Sequence, residues 1–99
     1  MTKIDFERSG GFMGRKVSLS LNLDDLPTDQ ARTLSLLLDK ADFFNLSDNP
    51  ARPPMPDAFQ YTITVTTDTR RHIIHTTDMT APEQLRPLLL DLSARARAR

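Results

Sequence analysis

The chain has 99 residues, thirteen basic and thirteen acidic, and no cysteine. That length fits one domain, residues 1–99, able to fold without covalent staples; the missing cysteines exclude disulfides and thiolate zinc sites. The balanced charge argues against a general nucleic-acid binder. Met1 to Glu7 carries charges where a secretory leader needs an apolar run, and no stretch approaches the ~20 apolar residues of a membrane span. The expectation is a soluble chain with no membrane association, not exported by the usual signal.

Ile4 and Phe6 alternate with Lys3, Asp5 and Glu7, a period of two that predicts a half-buried strand. Val17, Leu19 and Leu21 alternate with Lys16, Ser18, Ser20 and Asn22 and predict a second strand with a polar outer face. Between them lies Ser9-Gly10-Gly11-Phe12-Met13-Gly14, which holds all three glycines of the protein. It reads as the tip of an antiparallel hairpin.

Asp24-Asp25-Leu26-Pro27 then opens a helix, with acidic residues and a proline suited to its N-terminus. Ala31, Leu34, Leu37, Leu38 and Ala41 form its apolar face. Asp42-Phe43-Phe44-Asn45-Leu46 ends it, the two phenylalanines capping the core on either side of the exit. Residues 47–57 contain Pro50, Pro53, Pro54 and Pro56, which bar helix and central strand, so this segment is a loop.

Phe59, Tyr61, Ile63 and Val65 alternate with Gln60, Thr62, Thr64 and Thr66 and predict a third strand. Thr67-Asp68-Thr69-Arg70 carries a turn into a fourth strand, Arg71 to Thr77, where Ile73 and Ile74 leave the inward face open. Thr80-Ala81-Pro82-Glu83 matches a capping box for a second helix. Leu85, Leu88, Leu89 and Leu92 give that helix an apolar face, and Pro87, about two turns in, predicts a kink. The order ββαββα predicts an α+β fold: a four-stranded, mainly antiparallel sheet of two hairpins with both helices on one face.

Few residues can carry chemistry. His72 and His75, the only histidines, fall on opposite faces of a strand and read as surface histidines on a threonine-rich sheet. They are too few for a histidine-built catalytic zinc site, which takes three protein ligands. Ser9 precedes a hairpin loop and not the strand-to-helix turn of a nucleophile elbow. Gly10, Gly11 and Gly14 lead into a strand, which excludes a Walker phosphate loop. Arg95-Ala96-Arg97-Ala98-Arg99 reads as a frayed, solvated helix end and not a nucleic-acid arm. The remaining signal is Phe12 and Met13. Either Phe12 folds back onto the sheet edge, or the pair projects on a glycine-hinged loop as a contact surface.

Ser9-Gly10-Gly11-Phe12 between two strands and Ala41-Asp42-Phe43-Phe44-Asn45-Leu46 after a helix resemble the emfourin family. So do the stretches from Pro56 to Val65 and from Ala81 to Leu89, and together they span about Phe6 to Leu92. Emfourins are small protein inhibitors of thermolysin-like zinc metalloproteases. The resemblance implies a non-enzymatic, cytoplasmic protein whose partner is such a protease, with no cofactor or metal of its own. It further implies a target that prefers a bulky apolar side chain just after the cleaved bond. Phe12 or Met13 fits that preference, and Ser9, Gly10, Gly11, Phe12, Met13 and Gly14 become the expected partner-binding residues. The Pro50–Asp57 loop or the second hairpin turn is expected to widen the contact. The alternative is a non-enzymatic interaction module that regulates another partner through the outer sheet face. A small hydrolase using His72 or His75 is the third reading.

Overall fold

A computed structural model describes residues 2–10, 16–46, 59–78 and 80–97. Its strands are β1 (Lys3–Gly10), β2 (Val17–Asn22), β3 (Phe59–Thr66) and β4 (Arg71–Thr77), and its helices α1 (Thr28–Ala41) and α2 (Arg86–Arg97). The sheet order is β2-β1-β3-β4 and every neighbouring pair is antiparallel. The predicted ββαββα architecture is therefore the observed one. The two hairpins, β1–β2 and β3–β4, join through β1 and β3, so the first strand of the chain lies inside the sheet.

Register explains the faces. Ile4 stands beside Leu21 and Val65, and Phe6 beside Leu19 and Ile63, so the apolar residues of three strands fall in common rows. Leu34, Leu38 and Ala41 of α1 and Leu88, Leu89 and Leu92 of α2 bury against them in one core. On β4 the inward residue is Ile74, 1% exposed, and Ile73 points outward at 37%. The opposite face carries Ser18, Ser20, Thr62, Thr64 and His75, as expected of an antiparallel sheet with one side in water.

Three local expectations need correction. Residues Leu23–Asp25 form a separate 3₁₀ turn, opened by Asn22, whose side-chain oxygen accepts from the Asp24 amide at 3.0 Å. Helix α1 then starts at Thr28 with Pro27 as its cap, so Asp24 and Asp25 lie outside it.

Helix α1 ends where Asp42 turns left-handed (φ 52°, ψ 50°), a conformation a short polar side chain tolerates. The Asn45 amide donates to Asp42 Oδ1 at 2.8 Å and holds the turn. Phe43 and Phe44 do not straddle the exit. Phe43 is 1% exposed in the core, and Phe44 packs edge-on against it at the rim.

Thr80 is not at the cap position, which Pro82 takes. Thr80 bonds to the Thr77 hydroxyl instead, through its own hydroxyl at 2.8 Å and its amide at 3.0 Å. Glu83–Leu85 is a 3₁₀ turn capped by Pro82 without a side-chain bond, and α2 begins only at Arg86. Pro87 is thus in the first helical turn, where its absent N–H has no intrahelical acceptor to lose. The physical ground for a kink is gone.

Candidate functional site

The sheet has two ends, and the antiparallel register assigns the loops to them. β1 finishes, β2 starts, β3 starts and β4 finishes at one end; the β3–β4 turn occupies the other. Gly10 pairs with Phe59. The chain leaving β1 and the chain arriving at β3 therefore attach side by side. The Thr67–Arg70 turn is remote from both.

Ser9 and Gly10 belong to β1. The β1–β2 register ends at Arg8 and Val17, whereas β1 continues beside β3 through Ser9–Gln60 and Gly10–Phe59. Gly10 has φ 86°, a region that a side chain disfavours, and so turns the strand off its course at this point. Gly11, Phe12, Met13 and Gly14 lie outside the described residues, as does the Pro50–Asp57 segment. At the base of the loop, Lys16 pairs with Glu7 at 3.3 Å. Both side chains are well exposed, so the pair adds little stability.

Arg8 is a residue the sequence reading passed over. The alternation that places Ile4 and Phe6 on the helix side places Arg8 there too, and its parity was the available signal. Its guanidinium lies 4.7 Å from the centre of the Phe59 ring, a cation–π contact at the very end of the paired strands. Next along β3, the Tyr61 ring stacks with Phe6 at 6.0 Å. Burial raises the Tyr61 hydroxyl above its ordinary pKa of 10.0; the charge of Asp78 adds to this, and Arg8 and Arg86 oppose it.

The histidines do lie on opposite faces, but they are not both on the surface. His75 is exposed on the outer face. His72 sits on the core side, half-buried, with Phe43 edge-on to its ring at 5.6 Å and Phe44 at 6.2 Å. Its Nε2 donates to the Leu46 carbonyl at 2.7 Å. A carbonyl can only accept, so the proton is on Nε2. His72 is a clasp between β4 and the segment after α1. Among the described residues, no three histidine, aspartate or glutamate side chains gather as a metal site. No helix among them is long and apolar enough to cross a membrane.

The arginine-rich end also differs from its reading. Helix α2 continues to Arg97, and Arg95 is held by Asp91 one turn back and by the Gln30 side chain of α1 at 3.0 Å. Arg95 thereby ties the two helices together.

The fold thus defines a small α+β scaffold whose inner strand β1 ends at Gly10, where the glycine-rich sequence begins. The sequence model of the Emfourin family matches residues 6–93, and the chain belongs to the Emfourin family. Among solved structures, the chain is similar to emfourin (M4in) from Serratia proteamaculans, an M4 family peptidase inhibitor. Identity there is 21%, with a TM-score of 0.49, over 88% of this chain and 84% of that one. The curated proteins contain no match.

Proposed function

We propose that this protein is a reversible, non-enzymatic inhibitor of a thermolysin-like zinc metalloprotease and blocks its active-site cleft with the Ser9–Gly14 segment, the end of β1 and the chain that follows it. Family membership over residues 6–93 carries the reading. In it, Phe12 or Met13 fills the pocket that takes a bulky apolar side chain. Gly10, Gly11 and Gly14 let the loop backbone approach the cleft closely, and Ser9 offers a hydroxyl or carbonyl oxygen. The cytoplasmic setting belongs to the same reading.

The anchoring of the loop supports it. β1 is hydrogen-bonded on both sides up to Arg8, and on to Gly10 along β3. A binding segment that leaves a central strand starts from a fixed point, which lowers the ordering cost of binding. It also resists cleavage. A cut between β1 and β2 leaves both new ends tethered to paired strands, so religation competes with release. The outer-face alternative draws less support, because groups there satisfy one another, as when the Ser20 hydroxyl donates to Asp5 at 2.7 Å.

Titration of a thermolysin-like protease with the purified protein tests the proposal. Stoichiometric inhibition is expected; none at micromolar concentration overturns it. Phe12→Ala with Met13→Ala should weaken inhibition by about tenfold or more with the melting temperature unchanged. A large loss of stability would instead put those side chains in the core.

A further inference from the structure

On the helix side of the sheet, close to Gly10, a cavity of ≈ 180 Å³ is lined by Tyr61, Asp78, Arg86, Leu89, Leu90 and Ser93. It is not filled from within. Leu90 stands on its rim and is 73% exposed, the most exposed large apolar residue among those described. A well-packed surface helix turns such a residue inward, as α2 does with Leu88, Leu89 and Leu92.

The charges around the cavity are unequal. Arg86 donates through Nη1 to the Asp78 carbonyl at 3.2 Å, which fixes its guanidinium beside the opening. Among the described residues, it has no carboxylate at ion-pair distance. Arg8 adds a second cation near Tyr61. The one local anion, Asp78, has Oδ1 enclosed by protein and unpartnered. Asp78 is half-buried and Arg86 exposed, so the more accessible charge at the opening is the guanidinium, beside an apolar floor of Leu89 and Leu90.

Position narrows the occupant. Tyr61 lies two residues along β3 from Phe59, about 7 Å at the rise of an antiparallel strand, and Phe59 pairs with Gly10. A partner that contacts Gly10 and Phe59 is therefore within about 7 Å, along β3, of Tyr61 at the cavity's edge. A second copy meeting this face through itself would set one exposed Arg86 near the other, and these like charges oppose the pairing.

We propose that this cavity is a second contact site for the inhibited protease, and that it takes an apolar side chain flanked by a carboxylate from the rim of the protease cleft. The apolar group seats against Leu89 and Leu90, and the carboxylate pairs with Arg86, whose planar fork suits it. This inference rests on the inhibitory reading and extends it from the loop to the start of α2.

The test measures inhibition of the same protease by Leu90→Asp, Arg86→Glu and Arg86→Lys, beside wild type and the Phe12→Ala, Met13→Ala double variant. Leu90→Asp and Arg86→Glu should each weaken inhibition about tenfold or more. The Arg86→Glu defect should shrink in high salt, and Arg86→Lys should fall between the two. Melting temperatures should hold, because Leu90 and Arg86 are exposed. If the loop variant fails while all the cavity variants inhibit like wild type, the cavity proposal is overturned and the inhibitory reading stands. If wild type does not inhibit, both fall. A wild-type dimer in sedimentation that Leu90→Asp converts to monomer would assign the cavity to a second copy and also overturn the proposal.

Discussion

The two ends of the sheet solve the same problem differently. At the β3–β4 turn, every element is tied down by its neighbours. The Thr67 amide donates to the Arg70 carbonyl at 2.7 Å, and the Thr67 hydroxyl accepts from the Arg70 amide at 3.1 Å. Phe43, Phe44 and His72 pack together there, with the Arg70 guanidinium 4.1 Å over the Phe44 ring. At the other end, among the described residues, β1 pairs two positions further with β3 than with β2, and Thr76 Oγ1 and Asp78 Oδ1 are buried without partners. The first end is closed by its own contacts. The second, among the described residues, leaves Leu90 and Arg86 facing outward.

The contrast can be broken by substitution, and the largest effect should come at the closed end. Phe43→Ala removes a ring that is 1% exposed, and should cost about 3–5 kcal/mol in urea unfolding. A cost below about 1 kcal/mol would show that the aromatic group is not holding that end. Gly10→Ala probes the open end. A β-carbon at φ 86° should cost about 1–2 kcal/mol and should weaken protease inhibition by re-aiming the loop; full stability with full inhibition would mean that this glycine sets no direction. Thr67→Val keeps the shape and removes the hydroxyl acceptor of the turn. We expect about 1 kcal/mol, with inhibition unchanged because the turn is at the far end.

The smallest effect is spectroscopic. Tyr61 is the only tyrosine and there is no tryptophan, so phenolate absorbance reports one group. Burial, then Asp78, raise its pKa above 10.0, while Arg8 and Arg86 lower it. Asp78→Asn should bring the titration down towards the ordinary value, and Arg86→Gln should push it up. The sign for stability follows by linkage: a folded-state pKa above the unfolded one gives a contribution that is complete below pH 10.0 and is lost as pH rises through the folded value. Titration at the ordinary value in the folded protein would contradict the burial of Tyr61.

Much of this fold was legible because periodicity reports faces. The alternations at Ile4–Phe6, Val17–Leu21 and Phe59–Val65 each marked a strand and its inward side, and the leucine spacing marked both helices. Neighbours are another matter. Nothing local in Lys3–Gly10 specifies that it pairs with Phe59–Thr66, because that pairing is decided by rows of side chains brought together only in the folded sheet. Pro82 and Pro87 were misjudged for a related reason. Thr80 and Glu83 satisfied a capping pattern, but Thr77 competed for Thr80, and the two prolines bracket a 3₁₀ turn that the pattern cannot distinguish from helix. His72 looked like its surface neighbours until its parity with Ile74 set it on the core side. Of the candidate site, Ser9 and Gly10 proved to be strand residues, and the anchoring role of Arg8 and Phe59 was hidden in the same alternation.

The inner position of β1 has a consequence for how the molecule comes into being. Its partner β3 ends at Thr66, so the sheet's central ladder has no second rail until synthesis has passed that residue. The first hairpin alone is two strands, too little to persist in water. Assembly must await a contact between residues far apart along the chain, and such non-local closure slows folding relative to a chain built of local contacts.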